Sequence, residues 1–339
     1  MRAFSEPRVV FGFVLTLALT LQSCAPAFSP AFSPDSRRGY PNGPITVVVP
    51  YAAGTDADVA ARGVAEFLSR DLGVSVSVRN VVGDSGSRGS QQARSAPADG
   101  YTLLLLDEQL ILNQQLGITT YGPFEFEPIA QIVTAPAFIA TDAGSSWTSI
   151  ANLVDEAKAR PDELSWAMTP ASTQALAAYS FMSKAGVSLR PVRFESIDQV
   201  AEGLVNKQVQ VGQTTYGSAL QQLRQGRVRL LGVAWEKRGA LSAAASTFKE
   251  QGIDLILSTN YGFAAPKGTP LAMRQTFEQA LSRAAKDNAL QQKIEVDQGF
   301  VVNFQPRDAY INRLKDSDTQ IQSILQRSGR RFCPIWPFC

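Results

Sequence analysis

Apolar residues along the chain fall into short runs separated by longer amphipathic stretches. Ile45–Val49 is a continuous β-branched run, the pattern of a strand buried on both faces. After it, Ala60, Val64, Phe67, Leu68 and Leu72 share one stripe at helical spacing. Thr55 and Asp58 offer a capping box at the start of that helix, and Gly73 offers a stop. Val74, Val76 and Val78 alternate with polar residues, as on a half-buried strand, and Thr102–Leu106 is again an apolar strand. Strand, helix, strand, helix and strand at this spacing predict βαβ units and a mainly parallel sheet.

The theme returns further along. Phe138–Ala140, Val209–Val211 and Val228–Val233 read as strands, Pro191–Phe194 as extended chain, and 149–159, 172–185 and 197–205 as helices. After a strand at Tyr261–Ala265, helices are predicted near 270–286, 288–296 and 306–327. In the last of these, Tyr310, Leu314, Ile321 and Leu325 share a stripe.

Length turns this pattern into a two-domain expectation, because 339 residues exceed one ordinary core. With 45% hydrophobic and 18% charged residues the composition is globular. A net charge of +2, with Lys and Arg scattered, leaves no electrostatic footprint for nucleic acid. There is no histidine, which removes the commonest general base, the commonest metal ligand and every Ser-His or Cys-His arrangement. Three cysteines cannot by themselves complete a four-ligand zinc site, so no metal, no cofactor and no catalytic residue is expected.

The N-terminus changes the picture again. Arg2 and Arg8 precede the apolar run Val9–Leu21, which is too short to span a bilayer and suits a signal sequence. Leu21-Gln22-Ser23-Cys24 then resembles a bacterial lipobox. On that reading residues 1–23 are a lipoprotein signal peptide, Cys24 is the lipid attachment site, and 24–39 is a flexible Pro/Ser/Ala-rich tether. The other reading is an ordinary signal peptide followed by an incidental cysteine. Both export the chain. In an oxidising compartment Cys333 and Cys339, in the tail 331–339, either close a small disulfide loop or remain free thiols.

Three segments between strands and helices carry candidate chemistry. Pro50–Asp58 is rich in small residues before a helix start, where backbone amides and the helix dipole favour an anion; a plain helix cap is the alternative. Gly83-Asp84-Ser85-Gly86 matches the nucleophile segment of a serine protease in letters only, since no histidine exists to activate Ser85, and no nucleotide-binding spacing is present. What remains is a backbone-amide turn. In Met168–Gln174, Ser172 or Thr173 either caps a helix or reaches a ligand oxygen.

Together these segments resemble the substrate-binding proteins of tripartite tricarboxylate transporters, the Bug family. The resemblance runs from about Tyr40 to Gly329. Its most specific piece is YPNGPITVVVPYAAGTDADVAAR, in which Asp58 and Arg62 match the family's helix-start aspartate and arginine. Asn80, the glycine loop 83–89, ADGYTLLL at 98–105, the stretch Tyr121–Pro128, Gln225–Arg229 and YGFAAPKGTP at 261–270 follow in matching order.

The resemblance implies a type II periplasmic-binding-protein fold: two α/β lobes joined by a two-strand hinge, closing on a ligand like a flytrap. Lobe one would comprise 40–138 plus 261–330, and lobe two 139–260, with the hinge near Phe138–Thr141 and Asn260–Phe263. It implies a periplasmic binding protein, membrane-anchored where Cys24 is lipidated and a monomer by default, that holds an organic acid or amino-acid-like solute and serves membrane permease subunits or, alternatively, a sensor kinase. A surface lipoprotein that has lost its ligand is a further alternative. By position, the ligand would meet Tyr51, Ala53, Gly54, Thr55 and Asp56, then Asp84, Ser85, Gly86 and Ser87. Lobe two would add Thr169, Ser172 and Thr173, then Phe194, Glu195 and Ser196, then Thr215 and Tyr216. The sequence departs from the family at Thr55, Asp56, Asp84 and Glu195. These put three acids beside a site that elsewhere receives an anion. Either they favour a ligand with an amine or neutral polar group, or they face solvent and cap their own helices.

Overall fold

The computed structural model describes residues 39–238 and 245–328. The signal peptide, Cys24, the tether and the Cys333–Cys339 tail lie outside those residues. Two sheets organise the chain. The first joins β1 (Ile45–Val49), β2 (Val76–Asn80), β3 (Thr102–Leu106), β4 (Phe126–Pro136), β10 (Ser258–Pro266) and β11 (Val301–Gln305), in the order β11-β4-β10-β3-β1-β2. The second joins β5 (Phe138–Asp142), β6 (Ser165–Met168), β7 (Arg190–Arg193), β8 (Val211–Thr214) and β9 (Val228–Val233), in the order β7-β6-β8-β5-β9. The helices that link and cover the first sheet are α1 (Asp56–Leu72), α2 (Ser87–Arg94), α3 (Gln109–Gln115), α8 (Leu271–Ala284), α9 (Asn288–Gln291) and α10 (Arg307–Ser328). Between the strands of the second come α4 (Ile150–Ala159), α5 (Thr173–Ala185), α6 (Val200–Val205) and α7 (Tyr216–Arg224).

The pairing is mixed in both sheets rather than mainly parallel. β1 lies parallel to β2 and β3, and β6 lies parallel to β7 and β8. The strands that carry the chain between sheets run the other way: β10 is antiparallel to β3 and β4, and β5 to β8 and β9. A crossover helix returns the chain in the same direction, whereas a strand continuing straight from one sheet into the next does not.

Side-chain alternation distributes the first sheet between two cores. Val47, Val49, Leu103 and Leu105 point to one face, which α1 and α8 cover with Leu68, Phe277 and Leu281. Val48, Leu104 and Leu106 point to the other. That second core continues without a break through α3 into Trp166 and Phe181 of the second sheet's side, and to Leu314 and Ile321 of α10. Phe181 belongs to α5 and stacks on Trp166. Each such large apolar side chain, fully buried, contributes about 1.5–3 kcal/mol.

Between β4 and β5 stands one residue, Ala137. Its N–H donates to the Leu257 carbonyl at 2.9 Å, and its own carbonyl accepts from the Ala234 N–H at 2.8 Å. The Leu257 N–H completes the triangle by donating to the Ala234 carbonyl at 2.9 Å. Ala234 follows β9 and Leu257 precedes β10, so both passages between the sheets are tied together by peptide groups alone.

Candidate ligand-binding cleft

The turns after β1, β2 and β3 face the turns after β6 and β8. Carboxyl ends of strands in open α/β sheets are where such folds hold ligands, because helix N-termini and free backbone amides gather there.

In the first turn, Ala53 and Gly54 are exposed. Thr55 occupies the N-cap of α1 without capping it; its hydroxyl donates to the Ala52 carbonyl at 2.8 Å. Asp58 secures the turn instead. Its carboxylate accepts from the Gly54 N–H (2.9 Å), Arg62 Nε (2.9 Å) and Asn80 Nδ2 (2.8 Å). Burial pulls its pKa upward, but these donors outweigh that and hold it below the usual carboxylate value. Asn80 also donates to the Tyr51 carbonyl at 3.0 Å, so three residues matched by motif fasten this turn to the end of β2.

In the second turn, Asp84 and Ser85 adopt left-handed backbone at φ 50 and 53, followed by Gly86 at 86. Asn113 Nδ2 holds the loop by donating to the Ser85 carbonyl at 2.8 Å. Asp84 is exposed beside Arg88, at 3.8 Å, and Ser85 is exposed too. Ser87 opens α2, and its carbonyl accepts from the Tyr121 hydroxyl at 3.1 Å. A β-carbon on Gly89 would lie 2.7 Å from Pro50 Cα and 2.8 Å from the Val81 carbonyl, so glycine is what allows α2 to sit against the ends of β1 and β2.

The apolar pattern does not single out the end of β3, yet that end forms the cleft floor. Tyr51 donates its hydroxyl to both oxygens of Asp107, at 2.9 and 2.8 Å. Asp107 is 8% exposed, and burial pushes its pKa up to about 7; Glu108 beside it adds to the rise, while the Tyr51 hydroxyl and the Gln109 amide oppose it. Glu108, raised chiefly by burial, accepts from Asn260 through Nδ2 at 2.7 Å and N–H at 3.1 Å. Gln109 crosses to the other sheet: Nε2 donates to the Ala171 carbonyl (2.9 Å) and Oε1 accepts from the Thr173 N–H (3.1 Å). The available signal was a polar trio, Asp107-Glu108-Gln109, directly behind a fully apolar strand.

On the second sheet's side, Ser172 caps α5, accepting from the Ala175 N–H at 3.2 Å and donating to the Thr169 carbonyl. Thr169 Oγ1 is buried without a hydrogen-bond partner. Phe194 is buried in a core cluster with Phe138 and Leu204, and Glu195 is exposed and paired with Arg193 at 3.0 Å. Ser196 is half-buried ahead of a 3-10 turn at Ile197–Gln199. Thr215 caps α7 by accepting from the Ser218 N–H at 3.2 Å, and Tyr216 packs on Gly299, where a β-carbon would meet the Tyr216 Cβ at 2.6 Å.

Asp56, the first residue of α1, reaches this same helix. A β-carbon built on Gly217 would stand 3.3 Å from Asp56 Oδ1, and the Thr215 and Ser218 hydroxyls are its hydrogen-bonding neighbours. Burial pushes its pKa up to about 7; the two hydroxyls oppose the rise and Asp198 adds to it. The first turns of α5 and α7 are thus both met by side chains from across the cleft, and a cavity of about 10 Å³ beside Tyr51, Gly86, Asp107 and Asn113 holds no more than one water. The structure therefore gathers Tyr51, Asp56, Thr173, Thr215 and Tyr216 along one closed seam. It leaves the side chains of Asp84, Phe194 and Glu195 out of it.

Residues 60–329 match the family described as tripartite tricarboxylate transporter family receptor. The chain belongs to that family. A UPF0065 protein of Bordetella bronchiseptica is 32% identical to this receptor over 286 residues, covering 82% of this chain and 84% of that protein. The structure of the periplasmic binding protein BugD is similar with a TM-score of 0.74 at 27% identity, covering 86% of this chain and 99% of that one. R. palustris Rpa4515 with adipate gives a TM-score of 0.78 at 23% identity, covering 86% and 99%. This receptor is accordingly a solute-binding protein of the periplasmic type and not an enzyme. Among the described residues no helix is long and apolar enough to cross a membrane.

Proposed function

We propose that this receptor captures a small carboxylate-bearing organic solute between its two lobes and delivers it to the membrane subunits of a tripartite transporter. The observation that carries this reading is the convergence of strand ends from both sheets, bridged by Gln109 to Ala171 and Thr173. Exposed backbone at Ala52 and Ala53 and the left-handed residues Asp84 and Ser85 offer N–H groups of the kind that hold a carboxylate, while the Gly54 N–H is taken by Asp58 and the Gly86 N–H by the Gly83 carbonyl. The lobes, 40–138 plus 261–330 and 139–260, open about the Ala137 crossing and close on the solute as rigid bodies. Acylation of Cys24 anchors the receptor at the periplasmic face of the membrane. Mass spectrometry of the mature N-terminus tests the anchor, since Cys24→Ala should release the protein into the soluble fraction.

Thermal shift of the full chain against dicarboxylates, tricarboxylates, aromatic acids, amino acids and amines tests solute capture. A ligand at 100 times its dissociation constant stabilises the fold by about 2.7 kcal/mol, a shift of several degrees. A panel without a single shift overturns the reading.

A further inference from the structure

Gln109 opens α3 and is 7% exposed. Its side-chain amide has two N–H protons and one oxygen. One proton goes to Asn113 Oδ1 at 2.9 Å, a turn further along the same helix. The other crosses to the second sheet's side and meets the Ala171 carbonyl at 2.9 Å. Oε1 accepts from the Thr173 N–H at 3.1 Å. Chemistry fixes this orientation, because an inverted amide would set N–H against N–H and oxygen against two oxygens. Asn113, 1% exposed, continues the line by donating to the Ser85 carbonyl at 2.8 Å. Two side-chain amides thus run from the turn after β2 to the start of α5.

Two features give this line a role beyond packing. Thr173 is the first residue of α5, and a first-turn N–H has no partner within its own helix. The Ser172 cap serves the Ala175 N–H instead. Gln109 therefore takes an amide that a solute would otherwise find free. The second feature is backbone. Ser85 and Ala171, whose carbonyls the line holds, both have left-handed backbone, at φ 53 and 51. That conformation is costly for a residue with a β-carbon. Two strained turns, one from each sheet, are held by the same pair of side chains, and release lets both relax.

We propose that Asn113 and Gln109 form a spring-loaded latch, which shuts the cleft before a solute arrives and withholds the first amide of α5 until it lets go. The latch deepens the solute-capture reading and rests on the cleft being the solute site. A solute oxygen and Gln109 Oε1 cannot both take the Thr173 N–H, so latching and capture exclude each other at this helix start. The apparent affinity for solute is then the intrinsic affinity reduced by the fraction of receptor that is unlatched. Strain at Ser85 and Ala171 works against the latch and keeps that fraction from vanishing.

Amide hydrogen exchange of the full chain with no solute added, resolved to single residues by mass spectrometry, tests the latch. In the wild type the Thr173 amide should exchange more slowly than an unprotected amide. Gln109→Leu fills most of the same space with no donor or acceptor, and should speed Thr173 exchange at least about tenfold. The amides of Leu103–Leu105 in β3 should keep the wild-type rate, whereas a general loss of structure would accelerate both. Ala171→Gly removes strain without touching either side chain and should slow Thr173 exchange by about threefold or more. It decides the matter should the leucine variant fail to fold. A wild-type Thr173 amide that exchanges unprotected, a rate that neither variant changes, or an acceleration shared with β3 overturns the latch. No solute enters this experiment, so those outcomes leave the capture reading standing, while a solute panel without a shift overturns capture and leaves the exchange result to decide the latch.

Discussion

Asp107, directly after β3, is a buried carboxylate whose side-chain donor is the phenol of Tyr51. Tyr51→Phe removes that donor without changing the ring, and the loss should cost about 1–3 kcal/mol in urea unfolding. The cost should be larger at pH 8 than at pH 6, because Asp107 is mostly neutral below a pKa of about 7 and mostly charged above it. Asp56 gives a second pH signature. Its folded pKa lies near 7, above the ordinary carboxylate value of 3.8, so the stability it contributes is complete below the ordinary value and is lost as pH rises through 7. Asparagine has no such loss. The melting temperature of Asp56→Asn, relative to wild type, should therefore climb between pH 5 and pH 8. Asp56 was legible in the sequence as an acid inside a turn of small residues. That its carboxylate meets α7 was not, because Thr215 and Ser218 lie far along the chain and only the fold joins them to Asp56. Glu195 was ambiguous in the sequence, yet its partner sits two positions back, at Arg193, the last residue of β7.

Among elements, α2 owes its close approach to the ends of β1 and β2 to contact with backbone at Gly89. Gly89→Ala would drive a methyl into Pro50 and the Val81 carbonyl, displacing the turns after β1 and β2 together. The expected result is a loss of about 1–3 kcal/mol in stability, with weaker binding of whatever solute the wild type takes, read by chemical denaturation and titration. β1, α1 and β3 were legible because their apolar periods match their exposure. β4 was not, since Gln131 and Thr134 interrupt its apolar run. Their partners come from elsewhere: Thr134 donates to Asn260 Oδ1 at 2.8 Å, and Gln131 Nε2 reaches Thr134 and the Asn303 carbonyl. β11, half-buried along its whole length, likewise takes its identity from β4 rather than from its own pattern. The capping box at α1 failed in a similar way, because the hydroxyl of Thr55 finds the nearer Ala52 carbonyl and Asp58 caps Gly54 instead.

For the whole molecule, Gln109 is the hydrogen-bonded bridge from α3 to the first turn of α5. Gln109→Ala should shift the ligand-free receptor toward the open form, seen as a larger radius of gyration in solution scattering, while saturating ligand restores the compact value. The two sheets do not unfold separately on this architecture, because Leu104, Ile111, Trp166, Phe181 and Leu314 share one core. A single calorimetric transition is the expected result. The passage between the sheets behaves differently from everything around it. The hydrogen bonds that join Ala137, Ala234 and Leu257 run between peptide groups, which every residue except proline supplies in full. It is a bearing made of main chain. Its stiffness is independent of the chemistry in the turns, so residues there can be exchanged with the passage between the sheets left as it is.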